Sequence, residues 1–111
     1  MERDARAEFE AIADELKTEA GAVRGKVFGS VCLKIGGKVF AVWHPDDMVF
    51  KLGGAEHARA LGLERARLFD PSGMGRAMKE WVVVPVEQMG EWRELAQEAL
   101  GYVGEGVERE S

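Results

Sequence analysis

Residues 26–52 read KVFGSVCLKIGGKVFAVWHPDDMVFKL, and this stretch decides the fold. Two segments rich in Val, Phe and Ile flank Gly36 and Gly37, which tolerate the positive φ angles that a tight two-residue turn needs. A third apolar segment follows at residues 48–52. The stretch therefore predicts a β-hairpin with a further strand close behind it.

The hairpin turn also predicts which residues face each other across the two strands. We expect three pairs to form the core face: Ile35 with Lys38, Leu33 with Phe40, and Val31 with Val42. The opposite face would then carry a mixed set of side chains, namely Ser30, Cys32, Lys34, Val39, Ala41 and Trp43. On that mixed face, Trp43 is the tryptophan that we expect to be a contact residue for a partner.

Helical patterns lie at both ends of the chain. Apolar residues recur at helical spacing in residues 4–19, where Asp4 can serve as the N-cap and Gly21 can end the helix. A second apolar stripe covers residues 89–103, and we expect Gly104 to end that helix and leave a frayed tail.

The middle of the chain adds shorter elements. Residues 55–61 predict a short helix, residues 67–70 a short strand, and residues 79–84 a last strand whose WVVV segment is apolar on both faces, as in an inner strand. The order predicts an α+β fold in a single domain, residues 1–111. Its antiparallel meander sheet would have about five strands, with helices at both ends and one short middle helix.

Composition restricts the function classes. The net charge of −5 argues against a general nucleic-acid coat or an anionic membrane surface as partner. The sequence has no long apolar run and begins with a highly charged segment, so we expect no membrane span and no signal peptide. The single cysteine favours a cytoplasmic location. The absence of Asn, with only two Gln, is typical of a thermophile, although a GC-rich genome would also favour Arg, Ala and Gly.

The positive charge is concentrated in the middle of the sequence. Residues 21–52 hold five basic and two acidic side chains, whereas both ends of the chain are acidic. This pattern has two interpretations, a solvated surface or a basic face for a partner, and we favour the solvated surface.

Candidate catalytic and metal-binding residues are sparse. His44, Asp46 and Asp47 are close in sequence, but a Pro-Asp turn explains them better than a metal site, and His57 is isolated. Cys32 has no base expected nearby, because strand pairing would put Ala41 opposite it. We therefore predict no catalytic residue, no metal ligand and no cofactor.

The loop SGMGR at residues 72–76 could bind an anion through its backbone N–H groups. Arg76 and Lys79 would add positive charge there. The alternative is a flexible connector whose glycines satisfy turn geometry, and we favour it.

Four segments carry a family resemblance: VFGSVCLKIGGKVFAVW, MVFKL, FDPSGMGRAMKEWVVVP and EWRELAQEALGYV. In order and spacing they resemble the N-terminal domain of the TfoX/Sxy family and, more distantly, the YjbR-like proteins. The matching positions are Lys26, Phe28, Gly29, Gly37, Phe40, Ala41, Lys51, Gly75, Met78, Trp81 and Pro85. Ser30 and Ala77 depart from a Gly and a Pro that are frequent in the family. The resemblance implies a stand-alone copy of this domain, without catalytic residues or a cofactor.

The founding members of that family regulate natural competence. We therefore predict a non-enzymatic protein-interaction or regulatory module, with Trp43, Arg76 and Lys79 as candidate contacts. The alternative is a nucleic-acid-binding domain that uses the basic middle segment. The sequence leaves open the identity of a protein partner and the oligomeric state, including a homodimer.

Overall fold

The computed structural model describes residues 4–27, 29–44, 47–70, 75 and 77–110, with side chains as far as residue 105. The described residues form three α-helices, one 3₁₀ helix and six β-strands. The helices are α1 (Ala5–Ala20), α2 (Gly54–Leu61) and α3 (Trp92–Glu110), with the 3₁₀ helix at Val86–Glu91. The strands are β1 (Val23–Val27), β2 (Ser30–Ile35), β3 (Lys38–His44), β4 (Asp47–Lys51), β5 (Arg67–Phe69) and β6 (Met78–Pro85).

The six strands form one antiparallel sheet in the order β1-β2-β3-β4-β6-β5. Strand β6 lies between β4 and β5, so the inner position expected for the WVVV segment is confirmed. The predicted α+β class, with helices at both ends and a short helix in the middle, is confirmed as well.

The sheet has six strands where about five were predicted, because the segment before the hairpin turn forms two strands instead of one. Strand β1 ends at Val27 and β2 begins at Ser30, and the two pair antiparallel with Val27 opposite Ser30. Gly29 lies in their connection with a φ of +75°, a conformation that glycine adopts without steric strain. Phe28 lies outside the described residues. The chain therefore turns back on itself and adds β1 as an edge strand.

The predicted hairpin register is correct only near the turn. Ile35 faces Lys38, but Leu33 faces Ala41 and Cys32 faces Val42, because a β-bulge shifts the register beyond the pair Lys34 and Val39. Phe40 is the extra residue on β3, and a bulge places two consecutive side chains on one face. The expected pairs Leu33 with Phe40 and Val31 with Val42 are therefore wrong. Phe40 still belongs to the core, with no exposed surface.

The bulge moves residues of β3 to faces that simple alternation does not predict. Ala41 and Trp43 pack into the large core beneath the helices, together with Phe40. Val42 instead joins Cys32 in a second, smaller core cluster on the other side of the sheet. The expectation that Trp43 lies on the mixed outer face is thus wrong, because Trp43 faces the helices.

The helices cover one face of the sheet. The large core combines the apolar stripes of α1 and α3 with Ala60 of α2 and with alternate strand residues such as Phe50 and Val82. In the described part of the chain, the second cluster consists of strand residues alone: Cys32, Val42, Val49, Phe69 and Val83. Each face of the sheet therefore has its own buried apolar row.

Local hydrogen bonding and backbone conformation define both ends of α1. Asp4 caps α1, its Oδ1 accepting the N–H of Arg6 at 3.0 Å, and Gly21 ends the helix with a φ of +76°. The predicted end of the last helix at Gly104 is wrong, because α3 extends to Glu110. A glycine inside a helix costs only about 1 kcal/mol, so it does not by itself end one. No described helix is long and apolar enough to cross a membrane.

Candidate functional site

A groove of about 450 Å³ lies between α1 and the β1 side of the sheet. We call it the Trp43 groove. Its lining comprises Arg6, Phe9 and Glu10 of α1, Arg24, Gly25 and Lys26 of β1, Val31 of β2 and Trp43 of β3. This size is typical of pockets that take a small ligand or a few residues of a peptide.

Two aromatic rings form the floor of the groove. Trp43 stacks on Phe9 with ring centroids 5.3 Å apart and planes inclined by 26°, and the buried Trp92 meets the Trp43 ring edge-on with centroids 6.1 Å apart. Phe9 and Trp92 are buried, whereas Trp43 keeps part of its indole exposed. A partly open indole with fixed neighbours offers apolar contact area at little cost in side-chain entropy.

Arg24 connects the two walls of the groove. Its Nη1 donates to both carboxylate oxygens of Glu10 at 2.8 Å, and its Nη2 lies 3.4 Å from Oδ1 of Asp14. The hydrogen bonds to Glu10 raise the pKa of the Arg24 guanidinium above its ordinary value. The guanidinium also lies 5.8 Å from the centre of the Phe9 ring. Arg24 therefore holds α1 against β1, and its charge is already compensated.

The other two cations at the rim differ from Arg24. Arg6 and Lys26 are exposed, and within the described residues neither side chain forms an ion pair with a carboxylate. Both side chains lie next to the apolar floor of the groove. They form a local positive region in a protein whose net charge is −5. The groove is therefore suited to a ligand that combines an apolar group with negative charge.

Of the two predicted contact residues that the structure describes, Trp43 and Lys79, one lies in this groove. Trp43 lies on its floor. Lys79 lies exposed near the start of β6, and its backbone carbonyl is 2.7 Å from Nε2 of His57. Arg76 lies outside the described residues. Trp43 and Lys79 do not line a common site among the pockets formed by described residues.

The loop predicted to bind an anion is described only in part, because residues 71–74 are outside the described set. Gly75 has a φ of +80°, and its N–H donates to Oδ2 of Asp70 at 2.8 Å. A carboxylate of the protein itself thus takes the one loop N–H that the structure describes. This contact favours the connector interpretation of the loop.

The candidate metal and thiol residues that the structure describes do not gather into one cluster. Cys32 is fully buried in the second core cluster, where burial raises the pKa of its thiol. His44 contacts Phe69 edge-on at 6.1 Å and pairs with Asp47 across β3 and β4, while Asp46 is outside the described residues. No group of three or more His, Cys, Asp or Glu side chains that could hold a metal occurs in the described part of the chain.

Sequence patterns missed most of the groove. Phe9 belongs to the helical pattern of residues 4–19, and Arg24 lies between that pattern and the hairpin stretch that begins at residue 26. Their proximity to Trp43 depends on how α1 packs on β1, for which the sequence gives no local signal. The one available signal was the basic bias of residues 21–52, which include Arg24 and Lys26.

No protein-family model, no curated protein and no solved structure matches the chain.

Proposed function

We propose that this chain is a non-enzymatic protein-interaction module of a regulatory kind, which binds an acidic segment of a partner protein in the Trp43 groove. One observation carries the proposal. A single groove combines an open aromatic ring, Trp43, with two cations, Arg6 and Lys26, that have no ion-pair partner among the described residues.

The dimensions of the groove favour a short peptide segment as the ligand. A volume of about 450 Å³ takes one or two side chains of a partner, and the rim cations can meet carboxylates on either side of them. Aromatic and Arg side chains are also the ones that most often dominate the binding energy of protein interfaces. A short segment that carries both carboxylates and apolar side chains satisfies both features.

The chemistry of the lining supports binding rather than catalysis. Guanidinium and ammonium groups stay charged near neutral pH, so they bind anions well and exchange protons poorly. Glu10 is occupied by Arg24 at 2.8 Å. These properties support a binding role for the groove.

The order of sequence motifs supports kinship with the N-terminal domain of the TfoX/Sxy regulators, and we propose the same regulatory type of role here. A cytoplasmic location is part of the proposal. The only cysteine, Cys32, is buried and unpaired, which suits a reducing compartment.

The second candidate function is nucleic-acid binding. The aromatic ring and the rim cations of the groove also support nucleic-acid binding, because a base can stack on the ring while the cations contact phosphates. However, the net charge of −5 opposes the approach of a long polyphosphate chain more than that of a short peptide. We therefore rank this function below the binding of an acidic peptide.

Fluorescence anisotropy with labelled probes tests the proposal. Two peptides of identical composition, one with alternating Val and Glu and one with Val and Glu in separate blocks, serve as acidic ligands, and oligo(dT) serves as the nucleic acid. We expect peptide binding that weakens about tenfold in the double variant Arg6→Ala plus Lys26→Ala. The matched control removes two exposed cations elsewhere, Lys17→Ala plus Lys79→Ala, and should bind as the wild type does.

The outcomes separate the two functions. Binding of oligo(dT) that is tighter than that of either peptide, with a steep salt dependence, would replace the peptide proposal by the nucleic-acid one. If neither acidic peptide binds, or if the control pair weakens binding as much as the groove pair does, the Trp43 groove is not the proposed site.

A further inference from the structure

The outer edge of β1 borders the Trp43 groove. Strand β1 is the first strand of the sheet, with β2 as its neighbour on one side, and the described residues place no strand on its other side. In such an edge strand, alternate backbone N–H and C=O groups point away from the sheet and can pair with another chain. Three residues of β1, Arg24, Gly25 and Lys26, also line the groove.

The side chains of β1 alternate in chemistry between the two faces of the sheet. Arg24 and Lys26 lie opposite Leu33 and Val31, so they share the helix-covered face with the groove. Val23 and Val27 lie on the other face, and Val23 is 54% exposed. A strand placed beside β1 would therefore meet cations on one face and valines on the other.

Resting on the proposed function, we infer that the acidic partner binds as an extended strand that pairs with the free edge of β1. Its residues alternate between carboxylates, which lie on the face of Lys26, and apolar side chains, which face Val23 and Val27. Cross-strand pairs of opposite charge stabilise a sheet, and like charges directly opposite each other destabilise it. The charge pattern of β1 thus selects the chemistry of the incoming strand.

The same pattern disfavours a second copy of this chain at the edge. In a symmetric antiparallel pairing centred on Gly25, Arg24 of each copy would face Lys26 of the other. Lys26, which forms no ion pair with a described carboxylate, disfavours this self-association, as Lys commonly does on the exposed edges of natural sheets. An acidic strand meets no such repulsion.

The other edge of the sheet is a poorer acceptor. Strand β5 has only three residues, Arg67–Phe69, and a bulge interrupts its pairing with β6. Arg67 lies 3.8 Å from Asp47, so its charge has a partner already. Short and bulged edge strands are typical devices that prevent further pairing. Strand β1 is the edge that the structure leaves able to accept a partner.

Backbone methylation tests the strand pairing. The probe is the peptide of alternating Val and Glu, with its termini acetylated and amidated. Two further versions carry methyl groups on every second amide nitrogen, one version on the Val nitrogens and the other on the Glu nitrogens. Only one set of amides faces β1 in a strand pair. We expect one methylated peptide to lose binding about tenfold or more, while the other keeps most of it. The peptide with Val and Glu in blocks should bind more weakly than the alternating one.

Reversing the charge of Lys26 tests whether the carboxylates of the bound peptide lie on the same face as this side chain. Lys26→Glu should weaken binding of the Val and Glu peptide about tenfold and create binding for a peptide of alternating Val and Lys. Lys79→Glu, the same charge change on β6, should do neither. Circular dichroism spectra of the variants should match that of the wild type, because both lysines are exposed.

Failure of this inference differs from failure of the proposed function. If the alternating peptide binds with equal affinity whichever amides are methylated, strand pairing is wrong, while binding of an acidic segment in the groove stands. If no acidic peptide binds, alternating or in blocks, the proposed function fails and the strand pairing with it.

Discussion

The indole ring of Trp43 stacks on the phenyl ring of Phe9, with centroids 5.3 Å apart. This contact joins the middle of the sheet to α1 and fixes the floor of the Trp43 groove. It exists because the bulge at Phe40 turns Trp43 toward the helices. A backbone irregularity in the hairpin thus positions the residue on which the proposed function depends.

Truncation of Phe40 tests the hairpin core. Phe40 has no exposed surface and packs in the large core, so Phe40→Ala should lower the free energy of unfolding by about 3–5 kcal/mol through lost burial and a cavity. Lys34→Ala, in the neighbouring strand, should change it by less than about 0.5 kcal/mol. Urea denaturation of both variants is the measurement. Equal small losses would show that Phe40 is not a core residue.

The hydroxyl of Tyr102 should contribute stability that depends on pH. It donates to Oε1 of Glu80 at 2.5 Å, and this hydrogen bond raises the pKa of Tyr102 above its ordinary value of about 10. The folded state therefore holds the phenolic proton more tightly than the unfolded state does. The contribution is fully present below pH about 10 and is lost as pH rises through the higher folded pKa.

The variant Tyr102→Phe isolates that contribution, because it keeps the ring that lies against Gly53. Tyr102 is 40% exposed, so we expect only about 0.5 kcal/mol of lost stability at pH 7. The difference between wild type and variant should vanish in strongly alkaline solution. A difference that grows with pH would contradict the hydrogen bond to Glu80.

Reductant and chelator added together should leave the melting temperature unchanged. Cys32 is buried in an apolar cluster, and His44 and His57 contact Phe69 and the carbonyl of Lys79. Differential scanning calorimetry with and without the additives is the measurement. A fall of several degrees in the melting temperature would show that a bound metal, or a disulfide between two chains, stabilises the fold.

Binding of the wild type to single- or double-stranded DNA at low salt should not exceed a non-specific background, given the net charge of −5. Titrations at several salt concentrations are the measurement. If DNA does bind, and binds at the loop beside Arg76 and Lys79, the double variant Arg76→Ala plus Lys79→Ala should reduce the slope of log affinity against log salt concentration. The reduction should be about one unit for each lost phosphate contact. A tight, salt-sensitive complex that this double variant abolishes would favour nucleic acid over a protein partner.

The elements that could be predicted from the sequence are those that local chemistry specifies. Helix α1 has an N-cap at Asp4, a glycine at its end and a regular apolar stripe. The turn at Gly36 and Gly37 likewise has few alternatives, and both glycines adopt positive φ. In each case one local pattern was enough to define the element.

The bulge at Phe40 could not be predicted, because the segment VFAVW is apolar at every position. Period-two alternation cannot reveal an inserted residue when both faces accept apolar side chains. The error at Phe40 then assigned Trp43 to the wrong face. The rest of the groove depends on contacts between distant segments, such as Arg24 with Glu10, which no local pattern specifies.

The most direct test of the proposed binding groove follows the indole N–H signals of the tryptophans by NMR during titration with the alternating Val and Glu peptide. Trp43 lines the groove, whereas Trp81 lies on the opposite face of the sheet and serves as an internal control. We predict a saturable shift of the Trp43 signal with little change at Trp81, and loss of that shift in Lys26→Glu. A shift at Trp81 with Trp43 unchanged, or no shift at either, would contradict the groove as the binding site.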